Sequence, residues 1–135
     1  MVATDHIKEQ YQEFKMLQEH MEKLNEHTDM LERQLVLIDD TKDALHAFSS
    51  VLPGQEMLVP LADGIFLKAK FAGNPELLVN VGAGAVVPRS CDQVILMLDE
   101  QRNKITLNIG EARRLLEQFE GQAMQIYREV ESQSE

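Results

Sequence analysis

Residues 56–87 have the sequence EMLVPLADGIFLKAKFAGNPELLVNVGAGAVV, and this segment decides the fold. Four runs rich in β-branched and large apolar residues predict β-strands: Met57–Leu61, Ile65–Phe71, Leu77–Val81 and Ala85–Val87. Three turn sequences separate these runs: Asp63-Gly64, Gly73-Asn74-Pro75 and Gly82-Ala83-Gly84. Strands joined by such short turns pair as antiparallel hairpins, so the segment predicts two small β-hairpins.

Two hairpins of this size are marginal in isolation, because two-stranded ribbons have exposed edges and little surface to bury. Pro60 also indicates that the first strand lies at an edge or contains a bulge. The sequence therefore predicts that the hairpins complete their sheet with other chains, in an oligomer assembled through its strands. Eight apolar residues are the candidates for this contact between subunits: Leu58, Val59, Leu61, Ile65, Leu67, Val79, Val81 and Val86.

A long helical pattern precedes the hairpins. Thr4 or Asp5 is suited to cap its start, and Pro53-Gly54 is expected to stop it. Positions in alternating steps of three and four are mostly apolar: Ile7, Gln10, Phe14, Leu17, Met21, Leu24, Thr28, Leu31, Leu35, Ile38, Lys42 and Leu45. This narrow stripe predicts the seam of a coiled coil. An arm from Thr4 to Ser49 would be about 70 Å long, at ~1.5 Å per residue.

A second helical pattern follows Pro88, and Ser90 and Gln93 form a capping box at its start. Its seam is apolar at every position except one: Ile95, Leu98, Arg102, Ile105, Ile109, Ala112, Leu116, Phe119, Ala123, Ile126 and Val130. The two seams mirror each other, since the numbers of facing positions always sum to 140. The arms are therefore predicted to pair as an antiparallel coiled coil, with the hairpins at the closed end.

The sequence thus predicts a single α+β subunit over residues 1–135. Its parts are a helical arm at 1–52, two hairpins for assembly at 55–88 and a second arm at 90–135. Lys42 and Arg102 are charged seam positions in neighbouring layers. One interpretation is that they fix the register by pairing with Asp39 or Asp99. The alternative is that they extend to solvent.

The composition argues against several classes of partner and indicates the compartment. The formal net charge is −10 and is concentrated in the two arms, which argues against nucleic acid as a partner. Cys91 is the single cysteine, so there is no internal disulfide, and a reducing cytoplasm is expected. No signal peptide and no apolar run long enough to span a membrane is recognised, so no membrane partner is expected.

No catalytic arrangement is recognised in the sequence. Gly82-Ala83-Gly84 lacks the third glycine and the following helix of a dinucleotide-binding motif. His20 and His27 are seven residues apart, which is not the spacing of metal ligands within one helix. Cys91 has no His or Asp partners suggested by the sequence. The chain is therefore predicted to be no enzyme, with no cofactor and no metal.

The open end of the coiled coil is the candidate binding region. Seven apolar residues cluster there: Val2, Ile7, Tyr11, Phe14, Ile126, Tyr127 and Val130. One interpretation is ordinary seam packing. The other is that the frayed end presents adaptable apolar surface to non-native chains, while the acidic faces keep the arm soluble. The sequence leaves both open.

The chain resembles the alpha subunits of the prefoldin family, of the archaeal type. The resemblance covers nearly the whole chain and is sharpest in three segments: residues 56–61 (EMLVPL), 64–69 (GIFLKA) and 79–87 (VNVGAGAVV). Four strands between the arms are typical of the alpha class, because beta-type subunits carry a single hairpin. Ala62-Asp63 departs from the Gly-Ala pair often found before this glycine.

The resemblance implies a hexamer of two alpha and four beta subunits, in which the hairpins form a β-barrel body and the coiled coils extend from it. It also implies an ATP-independent chaperone that binds non-native proteins at the ends of the arms and delivers them to a group II chaperonin. The alternative, from a different class, is a structural coiled-coil adaptor that oligomerises through its strands and binds one folded partner.

Overall fold

The computed structural model of the chain describes residues 2–73 and 76–133, with side chains from residue 4 onward. The elements follow in the order α1 (Val2–Phe48), β1 (Glu56–Ala62), β2 (Ile65–Lys70), β3 (Glu76–Gly82), β4 (Ala85–Ser90) and α2 (Cys91–Gln133). This arrangement of two long helices around two antiparallel hairpins confirms the predicted α+β fold class. Of the predicted turn at 73–75, Asn74 and Pro75 lie outside the described residues.

The start of α1 differs from the prediction. The helix begins at Val2, so Thr4 and Asp5 lie inside its first turns and neither caps it. Asp5 is compatible with this position because a carboxylate in the first turn interacts favourably with the positive end of the helix dipole.

The end of α1 also differs, because the helix stops at Phe48 before it reaches Pro53. The amide of Ser50 donates to the carbonyl oxygen of Ala47 at 3.3 Å, and the amide of Val51 donates to that of Phe48 at 3.1 Å. The Ser50 hydroxyl also donates to the Ala47 carbonyl oxygen, at 2.9 Å. These bonds span three residues and tighten the last turn, so helical geometry ends several residues before the proline that was expected to end it.

The two hairpins have the same register. In the first, pairing runs from Glu56 opposite Lys70 to Ala62 opposite Ile65. Every pair of the second hairpin, from Glu76 opposite Ser90 to Gly82 opposite Ala85, is offset by 20 residues from its counterpart. Each also has a register shift just before its turn, between Pro60 and Ala62 and between Asn80 and Gly82. The two hairpins therefore share their strand pairing and the position of their register shift.

Proline is present in both hairpins. Pro60 lies opposite Phe66, in agreement with the predicted irregularity of this strand. Pro88 lies opposite Leu78 inside β4, which continues to Ser90 although it was predicted to end at Val87. A two-stranded sheet leaves one edge of each strand without a neighbour, and a residue that lacks an N–H is tolerated there.

The capping box at the start of α2 is confirmed. The amide of Gln93 donates to Ser90 Oγ at 3.1 Å, and the amide of Ser90 donates to Gln93 Oε1 at 3.0 Å. Two backbone donors at the helix start are thus satisfied reciprocally. This allows α2 to begin directly after β4 with no connecting loop.

The chain divides into two compact units: the terminal unit, residues 1–36 and 103–135, and the hairpin unit, residues 37–102. In the terminal unit, Leu17, Ala123 and Ile126 form a buried cluster, against which Phe14 and Met21 pack. The helices run antiparallel there, since Gln10 contacts Glu129 and Glu32 contacts Arg113. Every predicted seam position of both helices is buried or half-buried.

In the hairpin unit the charged seam positions form ion pairs. Lys42 Nζ lies 2.5 Å from Asp99 Oδ1, and Arg102 Nε donates to Asp39 Oδ1 at 3.0 Å. Both predicted acidic partners are confirmed. The pairs are symmetric, because a basic seam residue of each helix pairs with an acid that directly follows a seam residue of the other helix.

Candidate functional site

The predicted binding residues of the terminal unit fall into two groups. Ile126 is buried, and Ile7, Phe14 and Val130 are half-buried. Of these, Phe14, Ile126 and Val130 belong to the packed cluster around Leu17, so seam packing accounts for them. The side chain of Val2 lies outside the described residues.

Tyr11 and Tyr127 form the second group. Their exposed fractions are 66% and 57%, although each neighbours a buried seam residue in the sequence, Gln10 and Ile126 respectively. A seam closed by its own side chains leaves these two aromatic rings available for contacts with another molecule. A tyrosine presents a large apolar area with few rotatable bonds, and contacts with it therefore cost little conformational entropy.

Gln10 is a buried polar residue in the seam, and its exposed fraction is 5%. Its Nε2 donates to Glu129 Oε2 at 2.7 Å, but its Oε1 is buried and has no hydrogen-bond partner among the residues that the structure describes. The sequence showed Gln10 as an exception to the apolar stripe. It did not show that one end of the amide is satisfied while the other is not.

A groove of about 440 Å³ lies on the terminal unit. Its lining combines three seam residues with three residues beside the seam: Phe14, Met21, Glu120, Ala123, Met124 and Tyr127. Only Phe14 and Tyr127 were predicted as binding residues. For Glu120 a signal was available, since its seven-residue spacing from Tyr127 places both side chains on one flank of α2.

The predicted assembly residues of the hairpin unit are unpacked in the isolated chain. Seven of the eight are exposed, with exposed fractions from 39% for Val59 to 63% for Leu61, and Val79 is half-buried. Phe66 and Leu78, which were not predicted, are exposed to 57% and 74%. An apolar surface of this extent on two small hairpins is typical of an interface that another chain covers.

The hairpin unit also contains a largely apolar cavity of about 690 Å³, with Leu45, Phe48, Phe71, Leu77 and Cys91 in its wall. Phe48 and Phe71 contact each other in a tilted arrangement with 6.1 Å between ring centroids. The Cys91 thiol faces the carbonyl oxygen of Leu45 at 3.9 Å. These contacts join the end of α1, the first hairpin and the start of α2.

His20, one of the two histidines of α1 named above, has an aromatic neighbour. His20 stacks on Phe119 with 5.7 Å between ring centroids. Within residues 2–73 and 76–133, no group of three or more His, Cys, Asp or Glu side chains is arranged to hold a metal ion. Over the same residues, neither helix has a window that is both long and apolar enough to cross a bilayer.

The family model described as "Prefoldin subunit" matches residues 17–135. The chain belongs to the prefoldin family. The prefoldin subunit alpha of Methanothrix thermoacetophila is 35% identical over 51% of this chain and 45% of its own length. The prefoldin subunit alpha of Archaeoglobus fulgidus is 27% identical over 79% of this chain and 83% of its own length.

The fold agrees with this membership. The cryo-EM structure of filamentous PFD from Methanocaldococcus jannaschii aligns with a TM-score of 0.76, at 12% identity, over 86% of this chain and 96% of that chain. The chain is thus an alpha-type subunit of the prefoldin chaperone family, whose members form oligomers with other prefoldin subunits. The alternative of a structural adaptor for one folded partner is not favoured.

Proposed function

We propose that this prefoldin subunit holds non-native polypeptides, without ATP and without any enzymatic step, in the cytoplasm. Two copies join four beta-type subunits in a hexamer whose body is a β-barrel built from the hairpins. The loaded hexamer then delivers its client to a group II chaperonin. We further propose that residues 1–52, 55–88 and 90–135 act as arm, assembly module and arm of one subunit.

The proposal rests on the contrast between apolar residues that are buried in the seam and apolar residues that are exposed. The seam buries its own residues, whereas Tyr11 and Tyr127 in the terminal unit and the strands of the hairpin unit remain exposed. Exposed surface on the strands supports assembly. Exposed aromatic rings in the terminal unit support contacts with clients.

The mechanism follows from multivalency. Each terminal unit offers a small apolar area, so a single contact with an unfolded segment is weak and short-lived. Several arms on one body raise the effective concentration of the remaining contacts, and the client is held by their combined affinity. A folded protein exposes few apolar segments and is not retained. Release to another chaperone requires no chemical step, since each contact dissociates independently.

Two measurements test the assembly. The mass is measured by light scattering after size exclusion, first for this chain alone and then for the chain co-expressed with a beta-type subunit from the same genome. We expect a single species with two copies of this chain and four of the partner. Failure of the two proteins to associate, together with a stable homo-oligomer of this chain, would contradict the proposed composition.

Client binding is tested with the double variant Tyr11→Ser/Tyr127→Ser. Both rings are exposed, so the variant should assemble normally and lose most of its ability to suppress aggregation of several unrelated unfolded proteins. Leu107→Ser is the matched control, because Leu107 is a similarly exposed apolar residue of the same unit (65%). Removal of residues 1–14 and 126–135 should abolish suppression entirely. Full protection by the truncated complex would refute binding at the ends of the helices.

A further inference from the structure

The groove of the terminal unit lies beside a small residue of the seam. Ala123 is buried in the cluster with Leu17, and it lines the groove together with Phe14 and Met21 of α1. The groove is open to solvent and has a volume of about 440 Å³. The groove is therefore large enough to admit a Leu, Met or Phe side chain from another polypeptide.

The outer wall of the groove is adaptable and partly solvent-exposed. Met124 and Tyr127 are exposed to 54% and 57%. Methionine is unbranched and polarisable, so it adjusts to apolar groups of different shape. This wall suits a binding site that accepts many different apolar side chains rather than one ligand of fixed geometry.

One residue of the lining, Glu120, is charged. Among residues 2–73 and 76–133 it forms no hydrogen bond or ion pair, in contrast to Glu32, which pairs with Arg113 at 2.6 Å. Arg113, Glu120 and Tyr127 are spaced by seven residues and lie on the same flank of α2. Glu120 is thus the carboxylate of this flank that remains available to an incoming cation.

The two helical segments that contain the lining residues are acidic. Residues 10–22 and 116–131 together contain seven acidic side chains and only two basic ones, Lys15 and Arg128. Opposite charges attract across such a surface and raise the local concentration of cationic segments, whereas acidic segments are repelled. The groove therefore favours a ligand with an apolar side chain, and the acidic side chains of these segments favour a ligand with a positive charge.

We propose that this groove is a selective subsite for unfolded segments in which a large apolar side chain lies one or two positions from Lys or Arg. The apolar side chain enters between Phe14, Met21 and Met124, and the neighbouring ammonium or guanidinium group pairs with Glu120. In an extended segment, side chains two positions apart lie on one face about 7 Å apart, which the length of Lys or Arg can span. The proposal rests on the client-holding function proposed above and adds a preference in sequence to it.

The test uses two fluorescein-labelled peptides of Gly and Ser with a central Phe. One has Lys two positions before and two positions after the Phe, and the other has Glu at both of these positions. Binding to the full-length chain in its assembled complex is measured by anisotropy, at low and at high salt. We expect the Lys peptide to bind about fivefold more tightly at low salt, the size of effect given by one or two exposed ion pairs. The difference should shrink at high salt.

Glu120→Lys should invert the preference between the two peptides. Glu111→Lys is the matched control, since it makes the same change of charge at an exposed site on α2 outside the groove. Met124→Ser should weaken both peptides by a similar factor and leave their ratio unchanged. Equal binding of the two peptides to the wild-type complex would overturn the proposal, and so would an effect of Glu111→Lys as large as that of Glu120→Lys.

The outcome also separates this proposal from the proposed function. A wild-type complex that suppresses aggregation of unfolded proteins but binds both peptides equally retains the holding function and lacks the selective groove. A wild-type complex that protects no unfolded protein and binds neither peptide contradicts both proposals together.

Discussion

Gln10 is a buried polar side chain that weakens its layer of the seam. It occupies a position where the pattern expects an apolar residue, and it buries a carbonyl oxygen that has no hydrogen-bond partner within the described part of the chain. An unsatisfied buried polar group costs about 1–3 kcal/mol. Glu129 compensates only the other end of the amide. The layer that contains Gln10 is therefore weaker than the layers of Leu17 and Ile126.

Gln10→Leu should therefore stabilise the terminal unit by about 1–2 kcal/mol, because an apolar side chain removes the unsatisfied group and fills the seam. Hydrogen exchange of the amides in residues 4–14 and 122–131 should slow by about tenfold. Gln12→Leu serves as the control, since Gln12 is exposed. Equal slowing by both variants would show that the burial of Gln10 is not the cause.

Gly73 of the hairpin unit combines a positive φ with a close neighbour. Its φ is +77°, and a Cβ atom there would lie 2.8 Å from Pro53 Cγ. Gly73→Ala should lower the free energy of unfolding by about 2 kcal/mol, from the unfavourable backbone conformation and the steric conflict combined. Thermal unfolding of the assembled protein measures the change.

Gly121→Ala is the control for this measurement, because it should raise the stability that Gly73→Ala lowers. Gly121 lies inside α2, and a Cβ atom there would meet nothing within 4 Å. Alanine in a helix interior is more favourable than glycine by up to about 1 kcal/mol, so this variant should raise the unfolding temperature. A Gly73→Ala protein as stable as wild type would refute the conflict with Pro53.

At the scale of whole elements, the helices were more predictable than their ends. The seam follows from spacing alone, because one buried stripe on each helix determines which residues face inward. The end of α1 depends instead on local hydrogen bonds of Ser50 and Val51, which no periodicity reveals. β4 was predicted too short for a related reason, because whether Pro88 interrupts a strand depends on which edge is paired.

The candidate site was less predictable than the fold. Tyr11 and Tyr127 were identified because they are apolar and lie near the ends of the helices. The groove was not identified, since its wall combines seam residues with exposed neighbours such as Met124, and a seam pattern records polarity rather than the shape of the surface. Likewise, the charge of Lys42 suggested an acidic partner, but only the packed helices show that Asp99 is the one it meets.

The ion pair between Lys42 and Asp99 joins the two helices in the hairpin unit. Asp99→Lys places two ammonium groups together and should destabilise the chain, and the exchange Lys42→Asp/Asp99→Lys should recover most of the loss. The coupling energy from a double-mutant cycle should be about 0.5–1 kcal/mol at low salt and smaller at high salt. The pair is partly exposed, with side-chain fractions of 25% and 44%, which limits its size.

Glu32 and Arg113 form the comparison pair for this cycle. Their side chains are more exposed on average, at 45% and 62%, and should give a smaller coupling energy. If Lys42 and Asp99 also fix the register of the helices, as the sequence suggested, Asp99→Lys should additionally lower the cooperativity of unfolding. A coupling energy of zero for Lys42 and Asp99 at low salt would contradict both roles.

For the whole molecule, the duplicated hairpin raises the question of how many partners one chain binds. The two hairpins share their register and their bulge, and equivalent positions are apolar in both, as at Leu58 and Leu78. These two side chains are exposed to 62% and 74%. If the hairpins are equivalent docking surfaces, each should bind its own partner subunit, and loss of one should leave the other functional.

Leu58→Glu and Leu78→Glu test this independence, because a charge placed in an apolar interface prevents its burial. Each single variant, co-expressed with the beta-type partner, should form complexes smaller than the wild-type assembly, and the double variant should form none. Leu107→Glu, at an exposed residue of the terminal unit, should assemble normally. If either single variant abolishes all association, the two hairpins form one composite interface. Their common register would then reflect the shape of a closed sheet rather than two separate docking surfaces.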